Sequence, residues 1–174
     1  SQVFVTLTTN GTILNEKRTK KLLDSGIHMI DVSIDAFLDS TYEKIRIGGD
    51  LEITRTNTLR LLEMSNGTKT KVVVSFIKQP LNEAEIADFE GYWVSQNAIV
   101  ALRNCHSGAG SLSAISEALK KDSEPRRPCV YPWERTKLSP SGHLSFCPAD
   151  WVHGSKVADY RTTTIEAEWN GPFY

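Results

Sequence analysis

The feature that most constrains this chain of 174 residues is a regular alternation of strand-like and helix-like segments over its first hundred residues. Short runs of β-branched and apolar residues bounded by turn residues predict buried strands, and longer segments with apolar residues at helical spacing predict helices. The order β-α-β-α-β-α-β predicts a parallel sheet, either doubly wound or part of a barrel. The predicted strands are residues 3–8, 29–34, 71–77 and 99–103, and the predicted helices are residues 15–25, 40–47, 51–65 and 82–96.

Three of these helices begin at residues that commonly cap a helix. Asn15 precedes the first helix, where its side chain can accept a hydrogen bond from a free backbone N–H, and Gly26 follows as a helix stop. The run Ser40-Thr41-Tyr42-Glu43 has the sequence of a capping box. The run at 82–85, N-E-A-E, predicts a capped start for the last helix.

Composition and charge argue against two classes of partner. The net charge of −1 gives no electrostatic reason to expect nucleic acid. No apolar run approaches the ~20 residues that a membrane span needs. We therefore expect neither partner. Three cysteines, an odd number, argue against a disulfide framework and suit metal or cluster ligation in a reducing compartment, so a cytoplasmic location is expected.

The chain changes character after the fourth predicted strand. Residues 122–128, D-S-E-P-R-R-P, are polar and rich in proline, as linkers often are. We predict one domain over residues 1–121, ending in a short helix at 113–121, and a second over residues 122–174 with a closing helix at 164–169. The sequence begins inside a strand-like run and ends at W-N-G-P-F-Y, so we expect it to be part of a longer protein.

Two cysteines bracket a predicted β-hairpin in the second domain. Cys129 precedes strand-like residues 136–138, residues 139–142 have turn composition, and Cys147 ends the returning strand, residues 143–146. The spacing C-x12-G-x4-C could hold two thiolates at one end of the hairpin, which is half of a four-thiolate metal or iron–sulfur site. The alternatives are two unrelated buried cysteines, or a Cys2His2 zinc site completed by His143 and His153.

Polar side chains cluster where the predicted strands end. The carboxyl ends of parallel strands meet at one edge, where hydroxyl, amide, carboxylate and guanidinium groups suit a ribose and a carboxylate-bearing ligand. Taken singly, each residue also has an ordinary interpretation as a turn residue, a cap or a surface cation. The candidates are Thr8, Thr9 and Asn10 after the first strand, Ser33 and Asp35 after the second, Ser75 and Lys78 at the third, and Arg103 and His106 at the fourth.

Several of these motifs, in this order, resemble a known superfamily. Residues 7–14, L-T-T-N-G-T-I-L, followed by I-D-V-S-I-D-A at 30–36, resemble the third and fourth strands of a radical S-adenosylmethionine (SAM) enzyme. The spacing C-x12-G-x4-C, with C-P-A-D-W at 147–151 and I-E-A-E-W at 165–169, resembles the SPASM/twitch extension of that superfamily. The resemblance implies an α/β fold: a parallel-sheet partial (β/α)6 barrel followed by a small cysteine-bearing β-hairpin domain.

The resemblance also implies a chemistry. In the superfamily, a [4Fe–4S] cluster on a C-x3-C-x2-C loop reduces SAM to a 5′-deoxyadenosyl radical, which abstracts a substrate hydrogen. That loop is absent from these 174 residues and is expected upstream of them. The implied activity is that of an oxidoreductase or maturase, acting on a carbohydrate, a cyclitol or a peptide. The implied partner is an electron donor such as flavodoxin or ferredoxin.

The resemblance assigns roles to particular residues. Thr9, Asn10 and Ser33 would bind SAM, and Asp35 would support its strand end or face the substrate. Arg103 would lie near the SAM carboxylate or the substrate. The metal ligands would be Cys129 and Cys147, which would bind an auxiliary [4Fe–4S] cluster. The alternatives to the enzyme are a non-catalytic zinc module and an inert α/β scaffold.

Overall fold

The computed structural model describes residues 3–106, 108, 112, 128–151 and 154–174. It divides into two compact units, Ser1–Cys105 and His106–Tyr174, and each is described here by itself. The predicted domain boundary at 121/122, the predicted helix at 113–121, nearly all of the predicted linker and His153 lie outside the described residues.

The first unit is a parallel sheet with helices between its strands. The strands pair in the order β1-β2-β3-β4, and every pair is parallel. A short 3₁₀ turn, Glu83–Glu85, precedes the last helix. The elements in chain order are β1 (Thr6–Thr9), α1 (Glu16–Asp24), β2 (Met29–Ser33), α2 (Asp39–Ile45), α3 (Leu51–Ser65), β3 (Lys71–Lys78), α4 (Ile86–Ser95) and β4 (Ile99–Asn104).

The core lies on one face of this sheet. Alternate residues of β2 and β3, such as Val32 and Val74, are fully buried and pack with Leu61 of α3 and with Phe89 and Trp93 of α4. Strand order follows chain order without a reversal, and right-handed crossovers then place successive helices on the same face. The sheet is therefore singly wound, as barrel strands are, and not doubly wound. Four described strands do not close a barrel, so the (β/α)6 barrel stays a prediction.

The first helix starts and ends as predicted, whereas the next one does not. Asn15 Oδ1 accepts a hydrogen bond from the backbone N–H of Arg18 at 3.0 Å, and Gly26 follows α1 with a φ of 72°. The predicted capping box at residues 40–43 is wrong. Helix α2 begins at Asp39, and its N-cap residue Leu38 makes no side-chain capping bond.

The second unit contains the predicted hairpin and one strand that the sequence pattern did not indicate. Strand β5 (Lys137–Leu138) pairs antiparallel with β6 (His143–Ser145), across a turn in which Gly142 has a φ of 85°. Strand β7 (Lys156–Asp159) adds to the other edge of β6.

Two helices flank this small sheet. Cys129 precedes the hairpin as predicted, but a four-residue helix that was not predicted, α5 (Tyr131–Glu134), lies between them. The closing helix α6 (Ile165–Trp169) is confirmed, and Thr164 caps it. Within the described residues, no helix combines the length and the apolar character needed to cross a membrane.

Two glycines with left-handed backbones provide a matched test of packing beside β2. Gly11 and Gly26 have φ values of 74° and 72°, but a Cβ at Gly11 would lie 3.0 Å from Val32 Cγ1, whereas one at Gly26 would meet nothing within 4 Å. We expect Gly26→Ala to lower the free energy of unfolding by about 1 kcal/mol through backbone strain alone. Gly11→Ala should lower it by about 1 to 3 kcal/mol more, because a core contact must shift. Urea denaturation measures both losses. Equal losses would show that a Cβ at position 11 does not displace Val32.

Candidate functional site

The side of the sheet opposite the core is polar near the carboxyl ends of the strands. Because side chains alternate along a strand, the residues between the core positions of β2 and β3 share this side. Register pairs Thr8 with Asp31 and Ser33 with Ser75, and it places Arg103 beside Ile77. We call this surface the polar face; its residues are Thr8, Asp31, Ser33, Ser75 and Arg103.

An ion pair crosses the polar face. Arg103 Nη2 on β4 donates to Asp31 Oδ2 on β2 at 2.5 Å. The Asp31 side chain is only 5% exposed, whereas that of Arg103 is 45% exposed. The second carboxylate oxygen, Asp31 Oδ1, is buried and has no hydrogen-bond partner among the residues that the structure describes. Asp31 lies in the middle of a strand, so a search for polar residues at strand ends missed it.

Two predicted site residues are adjacent on this face. Ser33 Oγ lies 3.3 Å from Ser75 Oγ, and either hydroxyl can donate. Ser75 is fully buried and Ser33 is half-buried. Ala101 on β4 pairs in register with Ser75, so Ser33, Ser75 and Ala101 form a row of small side chains across β2, β3 and β4. The row brings two hydroxyls together near the carboxyl ends of the central strands.

The predicted site residue Asp35 is buried and bound within the chain. Its backbone is left-handed, with a φ of 66°, which is uncommon for a residue other than glycine. Asp35 Oδ1 accepts a hydrogen bond from the backbone N–H of Ile77 at 2.7 Å, and Oδ2 is bound by Arg46. These bonds join Asp35 to β3 and to the residue that follows α2, and its role toward SAM or the substrate stays a prediction.

Asn82 and Glu85 hold the same turn. Asn82 Nδ2 donates to the backbone oxygens of Asp35 at 2.7 Å and Ile77 at 3.0 Å. Glu85 Oε2 accepts hydrogen bonds from the backbone N–H groups of Phe37 at 2.7 Å and Leu38 at 3.0 Å. The prediction that residues 82–85 cap their own helix is therefore wrong. We call Asp35, Asn82 and Glu85 the polar clamp, because they join the turns that follow β2 and β3.

Thr9 and Asn10 lie away from the polar face and belong to the turn after β1. Thr9 pairs in register with Val32, a core residue, and its hydroxyl accepts a hydrogen bond from the backbone N–H of Gly11 at 3.2 Å. Asn10 is exposed, and its Oδ1 accepts hydrogen bonds from the backbone N–H and hydroxyl of Thr12. Their assignment as SAM ligands stays a prediction.

The cysteines do not form a complete metal site within the described residues. Cys129 is exposed, Cys147 is half-buried, and neither forms a disulfide. In the part of the chain that the structure describes, no three His, Cys, Asp or Glu side chains group so as to hold a metal ion. A [4Fe–4S] cluster usually takes four thiolates, so these two do not suffice. For the zinc alternative, His143 Nε2 lies 3.1 Å from Lys156 Nζ, and His153 is not described.

A third arginine–aspartate pair, in the small sheet unit, is more exposed than the pairs of Asp31 and Asp35. Arg161 Nη2 donates to Asp159 Oδ2 at 2.5 Å, and the Arg161 side chain is 70% exposed. The hydrogen bond from Arg161 holds the pKa of the Asp159 carboxyl well below its ordinary value, and Asp159 in turn raises the pKa of Arg161. Both residues are within two positions of each other, so this pair does not link distant strands.

Proteins with open α/β sheets commonly bind their ligands at the carboxyl ends of the strands. The polar residues of this sheet lie toward that end. The chain is 38% identical over 60 residues to a protein of Methanococcus maripaludis strain C5 named as a probable GTP 3′,8-cyclase, covering 34% of this chain and 20% of that protein. It is 30% identical over 98 residues to a probable GTP 3′,8-cyclase of Methanocaldococcus jannaschii, covering 56% of this chain and 32% of that protein.

The chain therefore spans about a fifth to a third of the length of these curated relatives. The similarity supports the radical SAM superfamily, to which the sequence motifs pointed. No family model matches the chain. No solved structure matches it either.

Proposed function

We propose that this chain is the SAM-facing part of a radical SAM enzyme. The observation that carries the proposal is the similarity to probable GTP 3′,8-cyclases, combined with motifs that resemble the same superfamily. In such an enzyme a bound iron–sulfur cluster would donate one electron to SAM, which would split into methionine and a 5′-deoxyadenosyl radical able to remove a hydrogen atom from the substrate. The residues of this chain bind and orient the ligands of that reaction.

The groups on the polar face fit SAM chemically. SAM carries a carboxylate, an ammonium group and ribose hydroxyls, which need both donors and acceptors. Arg103 and the hydroxyl of Ser33 supply donors, and the buried hydroxyl of Ser75 contacts that of Ser33. Asp31 Oδ1, which has no partner among the described residues, supplies a buried acceptor. In this proposal the polar clamp fixes the turn beyond Ser33 and makes no contact with the ligand.

Finer parts of the proposal rest on the sequence resemblance. They are a SPASM/twitch auxiliary cluster with Cys129 and Cys147 among its ligands, an electron donor such as flavodoxin or ferredoxin, and a cytoplasmic location. The substrate is a carbohydrate, a cyclitol or a peptide, and the names of the relatives add GTP as a further candidate. No step of the proposal uses the auxiliary cluster, because the described residues supply only two of its thiolates.

SAM binding to the chain tests the proposal. We expect added SAM to shift the backbone amide signals of β2 and β3 in an NMR titration. Ser33→Ala should weaken that binding about five-fold, because one hydrogen bond contributes about 1 kcal/mol. Ser65→Ala is the matched control, since its hydroxyl also makes one hydrogen bond, to Leu62 at the carboxyl end of α3.

Either of two results would contradict the proposal. The first is that SAM shifts no amide signal of β2 or β3. The second is that Ser33→Ala and Ser65→Ala bind SAM equally well.

A further inference from the structure

A buried carboxylate oxygen on the polar face lacks a donor. Asp31 Oδ2 accepts a hydrogen bond from Arg103 Nη2 at 2.5 Å, whereas Asp31 Oδ1 has no hydrogen-bond partner among the described residues. The Asp31 side chain is only 5% exposed. An acceptor that is buried without a donor costs stability, and folded proteins rarely leave such an atom unpaired. The surroundings of Asp31 therefore decide whether a ligand supplies the missing donor.

The neighbours of Asp31 in the sheet do not supply that donor. Register places Thr8 of β1 on one side of Asp31 and Val73 of β3 on the other. Val73 has an apolar side chain, and the hydroxyl of Thr8 makes no hydrogen bond to Asp31. Strand β1 lies on the side of β2 away from Arg103, and Thr8 is exposed. The polar face is therefore open beside Asp31 on the side of β1.

The chemistry of the missing group follows from charge and hydrogen-bonding capacity. A carboxylate only accepts hydrogen bonds, so its complement is a donor and not an anion. An ammonium group would add a buried cation near Arg103 and would bring more N–H groups than Asp31 Oδ1 can accept. A hydroxyl group would bury lone pairs of its own. A neutral N–H group adds neither a charge nor an acceptor, and it therefore suits this position best.

We propose that Asp31 is a ligand-binding residue whose Oδ1 accepts a hydrogen bond from the neutral amino group of a nucleobase. Carboxylate side chains accept hydrogen bonds from nucleobase amino groups, as Asp and Glu do from cytosine. Arg103 has a positioning role here, because its bond to Oδ2 fixes the carboxylate and leaves Oδ1 for the ligand. The inference rests on the proposed function for the source of the base, which is SAM or a nucleotide substrate.

Asp31→Asn distinguishes this role from a structural one, because a side-chain amide has one acceptor and one donor group. Arg103 only donates, so it takes the amide oxygen, and the amide N–H group then faces the position of the ligand amino group. Two donors would face each other, so the variant should bind an amino-bearing ligand at least tenfold more weakly. A ligand without the amino group should lose little affinity.

Two pairs of probes test the inference, and the members of each pair differ by one amino group. SAM is compared with its analogue that has hydrogen in place of the adenine amino group, and GTP is compared with ITP. Calorimetric titration gives the dissociation constants for the wild-type chain, Asp31→Asn and Asp159→Asn. Asp159→Asn is the matched control, because Arg161 binds both oxygens of Asp159 in the second unit. A thermal melt checks that each variant is folded.

We expect the wild-type chain to prefer the amino-bearing member of one pair at least tenfold, and the NMR signal of the Asp31 carboxyl carbon to shift on binding. The preference should fall to about two-fold or less in Asp31→Asn and should be unchanged in Asp159→Asn. A preference within the SAM pair identifies adenine as the base. A preference within the GTP pair identifies the base of a nucleotide substrate.

Either of two outcomes would overturn the inference. One needs no variant: the wild-type chain shows no preference within either pair, and no probe shifts the Asp31 carboxyl signal. The other is that Asp31→Asn, while folded, keeps the wild-type preference. A chain that prefers GTP to ITP through Asp31 but does not bind SAM would contradict the proposed function and leave this inference intact. A chain that binds SAM at β2 and β3 without either Asp31 effect would do the reverse.

Discussion

Asn82→Asp is expected to lower the free energy of unfolding of the first unit by about 3 to 5 kcal/mol at neutral pH. The Asn82 side chain is fully buried, and its amide donates to two backbone oxygens, those of Asp35 and Ile77. A carboxylate at this position would lose both donations and would place a negative charge against those two oxygens. Urea denaturation, followed by tryptophan fluorescence in a chain whose first unit contains one tryptophan, the buried Trp93, measures the loss.

Two comparisons separate the charge from the lost hydrogen bonds. Asn82→Ala removes both donations and the bond from Gln79 N–H without adding a charge, and should lower the free energy of unfolding by about 2 to 4 kcal/mol. Asn66→Asp makes the same chemical change at an exposed helix end, where the loss should stay below about 1 kcal/mol. If Asn82→Asp is as stable as Asn66→Asp, the polar clamp does not hold together the turns that follow β2 and β3.

The effect of Asn82→Asp should also depend on pH in a known direction. Burial raises the pKa of a carboxyl above its unfolded value, because the charged form is disfavoured. The destabilisation is therefore present above the folded pKa and fades as pH falls toward the unfolded pKa near 4. A loss that is independent of pH would indicate that the charge is not the cause.

The elements of the first unit were predictable because they depend on local patterns. Helix α3 has the predicted bounds, since its apolar residues recur at helical spacing and Asp50 caps its start. Strand β7 was missed because its residues, K-V-A-D, form too short a run to show an alternating pattern. Thr8 and Thr9 were both listed as candidates at the end of β1, but the register places Thr8 beside Asp31 on the polar face and Thr9 beside the core residue Val32.

The polar clamp shows why contacts between residues far apart in the sequence were not predictable. Asn82 and Glu85 have the spacing of residues that cap their own helix, which is what local reasoning predicts. In the folded chain their partners lie 47 or 48 residues earlier, in the turn after β2. The same limit applies to Asp31, whose partner Arg103 is 72 residues away. The sequence pattern indicated Arg103 as a candidate but not Asp31, and only the register of β2, β3 and β4 brings the two side chains together.

Asp35→Ala is expected to lower the free energy of unfolding by about 3 kcal/mol, the second large effect in this region. The change leaves the Ile77 N–H without its acceptor and removes the partner of Arg46, whose side chain is mostly buried. Asp35→Asn keeps an acceptor for Ile77 and tolerates a left-handed backbone, so its loss should be smaller, about 1 to 2 kcal/mol.

Asp35→Gly distinguishes the carboxylate from the backbone. Glycine adopts a φ of 66° without strain, so this variant should be more stable than Asp35→Ala by about 1 kcal/mol. Asn97→Gly is the control, because Asn97 also has a positive φ, 61°, but is exposed at the end of α4, and the change should be neutral or slightly stabilising. We expect calorimetry or urea denaturation to rank the variants at position 35, from the most to the least stable, as Asn, Gly and Ala. If Asp35→Gly is as stable as the wild type, the left-handed turn alone holds the end of β2, and the hydrogen bonds of the Asp35 carboxylate to Ile77 and Arg46 do not stabilise it.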